Sequence, residues 1–171
     1  MKKYLLGLLE AVIITTLIVG CNAPKEPPKT EEPQVKSETA EAALDFTLQS
    51  LKQETFTLSS YRDKQPVLLF FWTTWCPFCR TEIKQLKDEY PQLKQEGWEL
   101  FAIDVGEPRY TVERFLLGMD LGFNVLLDAD GSAADYFGIV GVPTFIIIDK
   151  KGSKAFTGHR FPSAQIKSLA R

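Results

Sequence analysis

Three short, almost unbroken apolar runs mark the second part of the chain, at residues 67–72, 100–105 and 145–148. Runs of this length, without the alternation of a half-exposed strand, indicate strands that a sheet covers on both faces. The pattern therefore predicts the middle strands of a largely parallel sheet with crossover helices on its faces.

Shorter strands are predicted before, between and after these runs. Residues 46–48 and 55–58 alternate between apolar and polar positions, which is typical of a hairpin. Another short strand is predicted at 125–127. The Asp-Lys-Lys-Gly turn at 149–152 leads into residues 154–157, so the last two strands are predicted to form an antiparallel hairpin at one edge of the sheet.

Helical spacing of apolar residues begins after Pro77, where they recur three, four and three positions apart. This spacing places them on one face of a helix. The residues on that face are Ile83, Leu86, Tyr90 and Leu93. Pro91 interrupts the pattern and predicts a kink or a split in the helix. Further helices are predicted at 112–119, 132–137 and 163–169.

The first 20 residues have the layout of a signal peptide, with Lys2 and Lys3 before a mostly apolar stretch at 4–19. As a helix, this stretch would span roughly 25 Å, which is less than the ~30 Å hydrocarbon core of a bilayer. Glu10 also interrupts it. A cleaved leader is therefore favoured over a permanent membrane-spanning helix.

Residues 21–41 differ in composition from the chain on either side. They contain four prolines and many Glu, Lys and Thr residues but almost no large apolar residue. Such a segment cannot bury a core and predicts a semi-extended tether. We therefore predict a signal peptide at 1–20, a tether at 21–41 and a globular domain at 42–171.

Charge and cysteine content narrow the possible functions. The 171 residues include 20 Lys and Arg against 22 Asp and Glu, a formal net charge of −2, so there is no electrostatic case for nucleic-acid binding. Of the three cysteines, Cys21 follows the leader, whereas Cys76 and Cys79 form a C-x-x-C pair. An odd number argues against a disulfide framework, so the pair requires an interpretation of its own.

The C-x-x-C pair lies between the predicted strand at 67–72 and the helix after it. Cys76 is thereby placed at a helix N-terminus, where unpaired N–H groups and the macrodipole favour a thiolate. Pro77 suits the first helical turn because it lacks an N–H that would be unpaired there. Cys76 would attack a partner disulfide, and Cys79 would then attack the mixed disulfide. The pair therefore predicts thiol-disulfide exchange.

A zinc site and an inert structural disulfide are weaker interpretations of the pair. A structural zinc site needs about four ligands, and outside the pair only Cys21 and a single histidine, His159, remain. An inert structural disulfide would close a loop too short to constrain the unfolded chain strongly. His159 is interpreted as a surface or loop residue, and no metal or cofactor is predicted.

Two segments resemble the TlpA/ResA-type branch of the thioredoxin superfamily. They are Phe-Trp-Thr-Thr-Trp-Cys-Pro-Phe-Cys-Arg at 71–80 and Gly-Val-Pro-Thr-Phe at 141–145. Residues 45–48 resemble that branch's N-terminal hairpin, and 127–138 resemble its central insertion. The resemblance extends over 42–171 and implies an α/β thioredoxin fold: a central mixed sheet flanked by helices, with an N-terminal β-hairpin and a central insertion.

The resemblance also implies roles for particular residues. In the family, the proline at the position of Pro143 is cis and faces the cysteine pair, and Val142 would offer its backbone to an extended substrate. Glu82 matches a glutamate three residues after the second cysteine, where it can take the proton from Cys79 or tune the pKa values of the pair. The alternative is that Glu82 is a first-turn glutamate that the helix dipole stabilises.

The predicted substrate-binding residues surround the pair. They are Trp75, Pro77, Phe78, Val142 and Pro143. Trp75 is interpreted as a cover for the disulfide, with core packing as the alternative, whereas Trp72 is interpreted as core. One position departs from many thioredoxins, which carry a buried aspartate six residues before the first cysteine. Phe70 stands there, so no carboxyl handles protons at that position.

Residues 18–21, Ile-Val-Gly-Cys, resemble the lipobox of bacterial lipoproteins. The resemblance implies diacylglyceryl transfer to Cys21 and cleavage just before it, and two or three acyl chains on one residue would anchor the protein stably. The alternative is an uncleaved signal anchor in which Cys21 is incidental. We expect a lipid anchor in the cell membrane and a domain on its extracytoplasmic face, on the periplasmic or cell-surface side.

The expected function is therefore that of a membrane-anchored, extracytoplasmic thiol-disulfide oxidoreductase that reduces protein disulfides, for example in cytochrome c maturation. Its partners would be protein disulfides or dithiols, and a membrane electron donor or acceptor that recycles Cys76 and Cys79. The alternatives are an oxidase on the same scaffold, a Sco-type copper-binding lipoprotein and a non-catalytic interaction module. Sco-type proteins carry C-x-x-x-C, which counts against the copper alternative, and the intact pair counts against a non-catalytic module.

Overall fold

Seven strands form one mixed sheet in the computed structural model, which describes residues 45–169. The strands are β1 (Thr47–Ser50), β2 (Thr55–Thr57), β3 (Val67–Trp72), β4 (Glu99–Val105), β5 (Asn124–Asp128), β6 (Thr144–Ile148) and β7 (Lys154–Gly158). The helices are α1 (Pro77–Gln95), α2 (Arg109–Leu116), α3 (Ser132–Phe137) and α4 (Ser163–Leu169), with a 3-10 helix at Leu58–Tyr61.

The strand order across the sheet is β2-β1-β5-β4-β3-β6-β7. The middle pairings follow the prediction: β3 is parallel to β4, β4 is parallel to β5, and α1 and α2 provide the crossovers. The hairpin of β1 and β2 and the hairpin of β6 and β7 are both antiparallel. The predicted α/β class and mixed sheet are therefore confirmed.

β3 lies between β4 and β6, and all six of its residues are buried. Leu68, Phe70 and Trp72 belong to the core on the face that α1, α2 and α4 cover. The alternate residues of β3 belong to a second core beneath α3 and the 3-10 helix. Because helices cover both faces, neither set of positions tolerates a polar side chain, which explains the unbroken apolar run.

α1 buries the face that the spacing predicts, because Ile83, Leu86, Tyr90 and Leu93 are all buried. The predicted split at Pro91 is wrong, since α1 continues through Pro91 to Gln95. Pro91 and Lys87 are both exposed. The carbonyl of Lys87, which loses its helical donor to the proline, is therefore on the side of the helix that water reaches.

α2 begins and ends three residues before the predicted helix at 112–119. Pro108, with φ −65°, takes the position before its first residue. Gly118 has φ +78°, a left-handed conformation that glycine adopts without strain and that commonly ends helices. The prediction followed the apolar residues alone and missed both end signals.

The predicted leader at 1–20, the tether with Cys21 and the domain start at residue 42 lie outside the described residues, so they stay predictions. Within the range 45–169, no helix combines the length and the apolar character that crossing a bilayer requires.

Candidate active site around Cys76 and Cys79

A short loop follows β3 and ends at Cys76, which is the N-cap of α1. Cys76 has an extended backbone, with φ −77° and ψ 115°, and Pro77 takes the first helical position. The Sγ of Cys76 accepts a hydrogen bond from the N–H of Cys79 at 3.2 Å. That N–H is one of those left unpaired at a helix N-terminus, so the same geometry stabilises a thiolate when the pair is reduced.

Cys76 and Cys79 form a disulfide, with their Cα atoms 5.2 Å apart. The two cysteines differ in exposure: 4% of the surface of Cys76 is accessible to solvent, whereas Cys79 has no accessible surface. An incoming thiolate therefore reaches Cys76 first. Conversely, Cys79 is placed to attack only the sulfur of Cys76, once that sulfur is bonded to a partner.

The loop before β6 faces the disulfide from the opposite side. The Val142–Pro143 peptide bond is cis, as the family resemblance implied. The carbonyl oxygen of Val142 lies 3.8 Å from the Sγ of Cys76. Pro143 is buried and Val142 is half-buried. The structure thus brings these two predicted residues to the sulfur that a substrate reaches.

His159 holds this loop through hydrogen bonds, and the sequence did not indicate this role. Its Nδ1 lies 2.9 Å from the carbonyl oxygen of Pro143 and 3.2 Å from the hydroxyl of Thr144. The Thr144 hydroxyl gives its own proton to the carbonyl of Gly141 at 2.7 Å. Because a carbonyl can only accept, Nδ1 must carry the proton and donate it to the loop. His159 is an exposed residue, as predicted, but it has partners.

The apolar side chains next to the disulfide are strongly exposed. Trp75 is 66% exposed and Phe78 is 76% exposed, and Val140, two residues before Val142, is 98% exposed. Core packing of Trp75 is therefore wrong, whereas Trp72 is fully buried as predicted. Exposed aromatic residues beside a reactive sulfur form a surface on which an apolar segment of another protein can dock.

Glu82 is half-buried and follows Cys79 by three residues on α1. The interpretation of Glu82 as a first-turn glutamate is wrong, because α1 begins at Pro77 and Glu82 is in the second turn, where the dipole effect is weak. Its Oε2 is buried without a hydrogen-bond partner among the described residues. Burial raises the pKa of Glu82, and the charge of Arg160 acts in the opposite direction.

A buried carboxylate holds the loop that carries the cysteines, and sequence reasoning missed it. Glu107 accepts the backbone N–H of Thr74 at 2.5 Å and the Thr74 hydroxyl at 2.7 Å. The carbonyl of Thr74 accepts the Nε–H of Arg80 at 2.7 Å. The residue two positions before Cys76 is therefore fixed from both sides. No local sequence pattern predicts this contact, because Thr74 and Glu107 are 33 positions apart in sequence.

A second buried carboxyl, Asp104, lies near the end of β4 and has no accessible surface. Burial raises the pKa of Asp104 to about 8, the side chains of Glu107 and Asp128 act in the same direction, and the backbone N–H of Glu107 acts against them. Phe70, where many thioredoxins have their buried aspartate, is fully buried and stacks on Phe145 with ring centroids 4.7 Å apart. The buried acid of this protein is thus on the neighbouring strand.

Comparison with known proteins places this geometry in a family. Residues 39–153 match the AhpC/TSA family. Over 110 residues, the chain is 38% identical to the thiol-disulfide oxidoreductase ResA of Geobacillus kaustophilus, which covers 64% of this chain and 63% of that protein. Over 151 residues, it is 30% identical to the ResA of Bacillus thuringiensis, which covers 88% of this chain and 82% of that protein. The chain belongs to the AhpC/TSA family.

The fold of this AhpC/TSA-family chain is also found in StoA from Bacillus subtilis. The two superpose with a TM-score of 0.64 at 23% identity, over 75% of this chain and 98% of StoA. At that identity the likeness shows the fold alone. The predicted thioredoxin fold and the family resemblance are therefore confirmed. The matched stretch spans less than two thirds of the length of the Geobacillus kaustophilus relative.

Side chains of this AhpC/TSA-family domain that could bind a metal do not cluster in the described part of the chain. Between residues 45 and 169, no three His, Cys, Asp or Glu residues are grouped so as to hold a metal ion. The disulfide engages both cysteines of the domain with each other. Besides the sulfur pair, the site contains the carboxyl groups of Glu82 and Glu107.

Proposed function

We propose that this protein is a thiol-disulfide oxidoreductase that reduces disulfides of other proteins. The observation that carries the proposal is the asymmetry of the disulfide: only Cys76 reaches the surface, at a helix N-terminus and opposite the Pro143 loop. Relatives that carry the name thiol-disulfide oxidoreductase ResA support it.

The reaction begins with the reduced pair. The Cys76 thiolate attacks one sulfur of a partner disulfide, and the other partner sulfur leaves as a thiolate. Cys79 then loses its proton and attacks the Cys76 sulfur, which releases the second partner sulfur. Two electrons pass to the partner, and Cys76 and Cys79 finish as the disulfide. Half-buried Glu82 is the acceptor that we propose for the Cys79 proton.

The substrate surface that we propose combines backbone and apolar contacts. Val142 precedes β6, so its backbone groups are not needed by the strand ladder and can pair with an extended substrate. Trp75, Pro77 and Phe78 are exposed at the other side of the sulfur. An extended segment with an apolar residue beside its cysteine fits this surface best.

The cellular setting that we propose comes from the N-terminal sequence. A lipid on Cys21 would hold the domain at the extracytoplasmic face of the cell membrane, with residues 22–41 as a tether. A membrane electron donor would then re-reduce the pair after each turnover. Cytochrome c maturation is one process that needs such a reductase, because haem attachment requires reduced cysteines.

The decisive experiment compares two single substitutions in the full-length protein in detergent. Cys76→Ser should abolish reduction of insulin disulfides, because the accessible sulfur is lost. Cys79→Ser should instead accumulate mixed disulfides with substrate, because the resolving thiol is lost. Full activity of Cys76→Ser would contradict the proposal.

The direction of electron flow is tested by the midpoint potential of the Cys76/Cys79 couple, measured against glutathione. A value near that of thioredoxin, roughly −270 mV, supports a reductase. A value nearer that of a strong oxidant, roughly −120 mV, would instead support the alternative of an oxidase that makes disulfides.

A further inference from the structure

Asp104 is a buried acid that has no role in the disulfide exchange described above. It pairs with Trp72 in the parallel ladder of β4 and β3. Alternation along β4 places its side chain on the same face as Leu100 and Ala102, which belong to the core that also contains Cys76 and Cys79. The side chain of Asp104 is thus on the face of the sheet whose core contains the cysteine pair, next to Trp72 on the neighbouring strand.

Among the described residues, neither carboxyl oxygen of Asp104 has a well-formed hydrogen bond, and the backbone N–H of Glu107 is the one donor near it. An ionised carboxylate in such a place is strongly disfavoured unless a cation or donor compensates it. Glu107, three residues later, is different because its carboxylate accepts both the N–H and the hydroxyl of Thr74. Asp104 therefore holds a proton more readily than an exposed aspartate does.

Among the described residues, no cation on the elements around Asp104 pairs with its carboxyl. β5 contributes Asp128, whose carboxylate accepts the N–H groups of Ala133 and Ala134. α2 buries Val112 and Leu116, and its charged residues Arg109, Glu113 and Arg114 are at least partly exposed. β3 contributes the indole of Trp72 and no titratable group.

α1 contributes a cation close to the loop, Arg80, and the two cysteines. The guanidinium of Arg80 is engaged, because its Nε–H donates to the Thr74 carbonyl and it lies 5.5 Å above the ring centre of Phe115. A continuous set of contacts thus runs from Glu107 through Thr74 to Arg80, next to Cys79. A change of charge at the carboxyl pair reaches the cysteines along this route and through the low-dielectric core.

We propose that Asp104 and Glu107 are positioning residues beneath the active-site loop, with a proton held on Asp104, and that loss of this proton disfavours the Cys76 thiolate and makes the midpoint potential fall more steeply with pH than the thiols alone require. This inference rests on the disulfide exchange proposed above. Because the pKa of buried Asp104 is raised, its effect on the midpoint potential is expected at pH values that solution experiments reach.

The linkage between the carboxyl pair and the cysteines is reciprocal. Reduction breaks the S–S bond with two electrons from a donor dithiol, which becomes a disulfide. One of the donor's protons goes to Cys79, which becomes a thiol, the other is released, and Cys76 is left as a thiolate. That negative charge increases the proton affinity of Asp104. Where Asp104 is ionised in the disulfide form, reduction therefore draws one additional proton from solvent onto its carboxyl. The midpoint potential must then fall more steeply with pH than the thiols alone require.

The test is the midpoint potential of the full-length protein in detergent, measured against glutathione from pH 5 to pH 9. Asp104→Asn keeps the shape of the side chain and removes its proton equilibrium. At pH 6 the variant and the unchanged protein should have the same potential, because both side chains are neutral. At pH 9 the variant should be less negative by at least a tenfold change in the exchange constant, about 30 mV for a two-electron couple.

Glu107→Gln provides the second variant. Its amide oxygen can still accept from Thr74, but the charge next to Asp104 is gone, so the steep part of the curve should move to lower pH. Glu99→Gln is the matched control, because Glu99 is a partly buried acid on the same strand, about 16 Å from Asp104 along β4. Its curve should follow that of the unchanged protein.

Parallel curves for all variants between pH 5 and pH 9 would show that the carboxyl pair does not act on the couple and would overturn the proposal. If the Asp104→Asn protein does not fold, as judged by circular dichroism, the curve of Glu107→Gln decides by itself. The insulin assay separates this proposal from the proposed function. A protein that shows the shift without reducing insulin contradicts the reductase function and supports the carboxyl pair.

Discussion

Glu82 is the residue whose role depends most on its immediate surroundings. One oxygen is buried without a partner among the described residues, and burial raises the pKa of the carboxyl against the opposing charge of Arg160. A carboxyl in such a place accepts a proton more readily than an exposed one does. This suits a group that receives the Cys79 proton when Cys79 attacks the mixed disulfide. It also imposes a stability cost wherever Glu82 is ionised.

Replacement of Glu82 by glutamine should therefore change stability in a pH-dependent way. The folded-state pKa lies above the unfolded value, so the folded protein loses stability as pH rises through the interval between the two values. Below that interval Glu82→Gln should melt at the same temperature as the unchanged protein, and above it at a higher temperature. Thermal melts followed by circular dichroism from pH 3 to pH 8 measure this difference.

The same variant should resolve mixed disulfides several-fold more slowly, as measured by the rate at which a thiol substrate is released in a stopped-flow experiment. Glu89→Gln is the control, because Glu89 lies seven residues further on the same face of α1. If Glu89→Gln slows resolution equally, Glu82 has no special role in proton transfer.

At the level of elements, the positions of helices and strands were what the sequence predicted best. The apolar run of β3 and the spacing on α1 depend on residues close in sequence. β3 formed as predicted, and α1 buries the predicted face although it is not split at Pro91. The end of α2 was also encoded locally, in Pro108 and Gly118, but by signals other than hydrophobicity. The contacts that hold the active-site loop could not be predicted in this way. Glu107 accepts a hydrogen bond from the N–H of Thr74, 33 positions away in sequence, and no periodic pattern indicates such a contact.

His159 is a similar case at the level of elements. It follows β7, yet it donates to the loop that precedes β6, 16 positions away. Its sequence context is that of an ordinary loop. Only the antiparallel pairing of β6 and β7, which aligns Phe145 with Gly158, brings it beside Pro143. The functional loop is thus held by an element that contains no recognisable motif.

Substitution of His159 by alanine should loosen the Pro143 loop. A hydrogen bond of this kind contributes about 1 kcal/mol, which corresponds to roughly a five-fold effect. We expect the KM for a protein disulfide to rise by about that factor, with little change in the rate with dithiothreitol, which does not need the loop. Steady-state kinetics with both substrates measure the two effects.

Lys154→Ala is the control for His159, because Lys154 is an exposed residue at the other end of β7. Its kinetics should match those of the unchanged protein. An equal loss with dithiothreitol and with protein substrate in the His159 variant would mean that His159 acts on the disulfide itself rather than on substrate docking.

At the scale of the whole molecule, we propose separate tasks for the domain and the N-terminal segment. The seven-stranded sheet and the disulfide lie within residues 45–169. The leader, Cys21 and the tether would determine where that chemistry takes place. The predicted semi-extended tether of about 20 residues would reach at most roughly 60 Å, so a membrane-held domain would meet partners near the bilayer.

Substitution of Cys21 by alanine tests the proposed anchor. The variant should leave the membrane fraction or accumulate as an unprocessed precursor of higher mass, because the acylated residue is lost. Fractionation and intact-mass spectrometry distinguish these results. Cys76→Ser serves as the control, since it also removes one thiol but should remain with the membrane. Unchanged extraction and unchanged mass in the Cys21 variant would contradict lipidation.

The pairing of β3 with β6 has a consequence for the way the site is assembled. Val67 pairs with Ile148, so the strand before the cysteines is completed by a strand that lies far downstream. Contacts between distant parts of a chain form slowly, because a long loop must close first. During synthesis both cysteines emerge before the Pro143 loop exists. A nascent chain therefore carries the redox pair without the loop that faces Cys76, and its thiols acquire their final selectivity only when folding is complete.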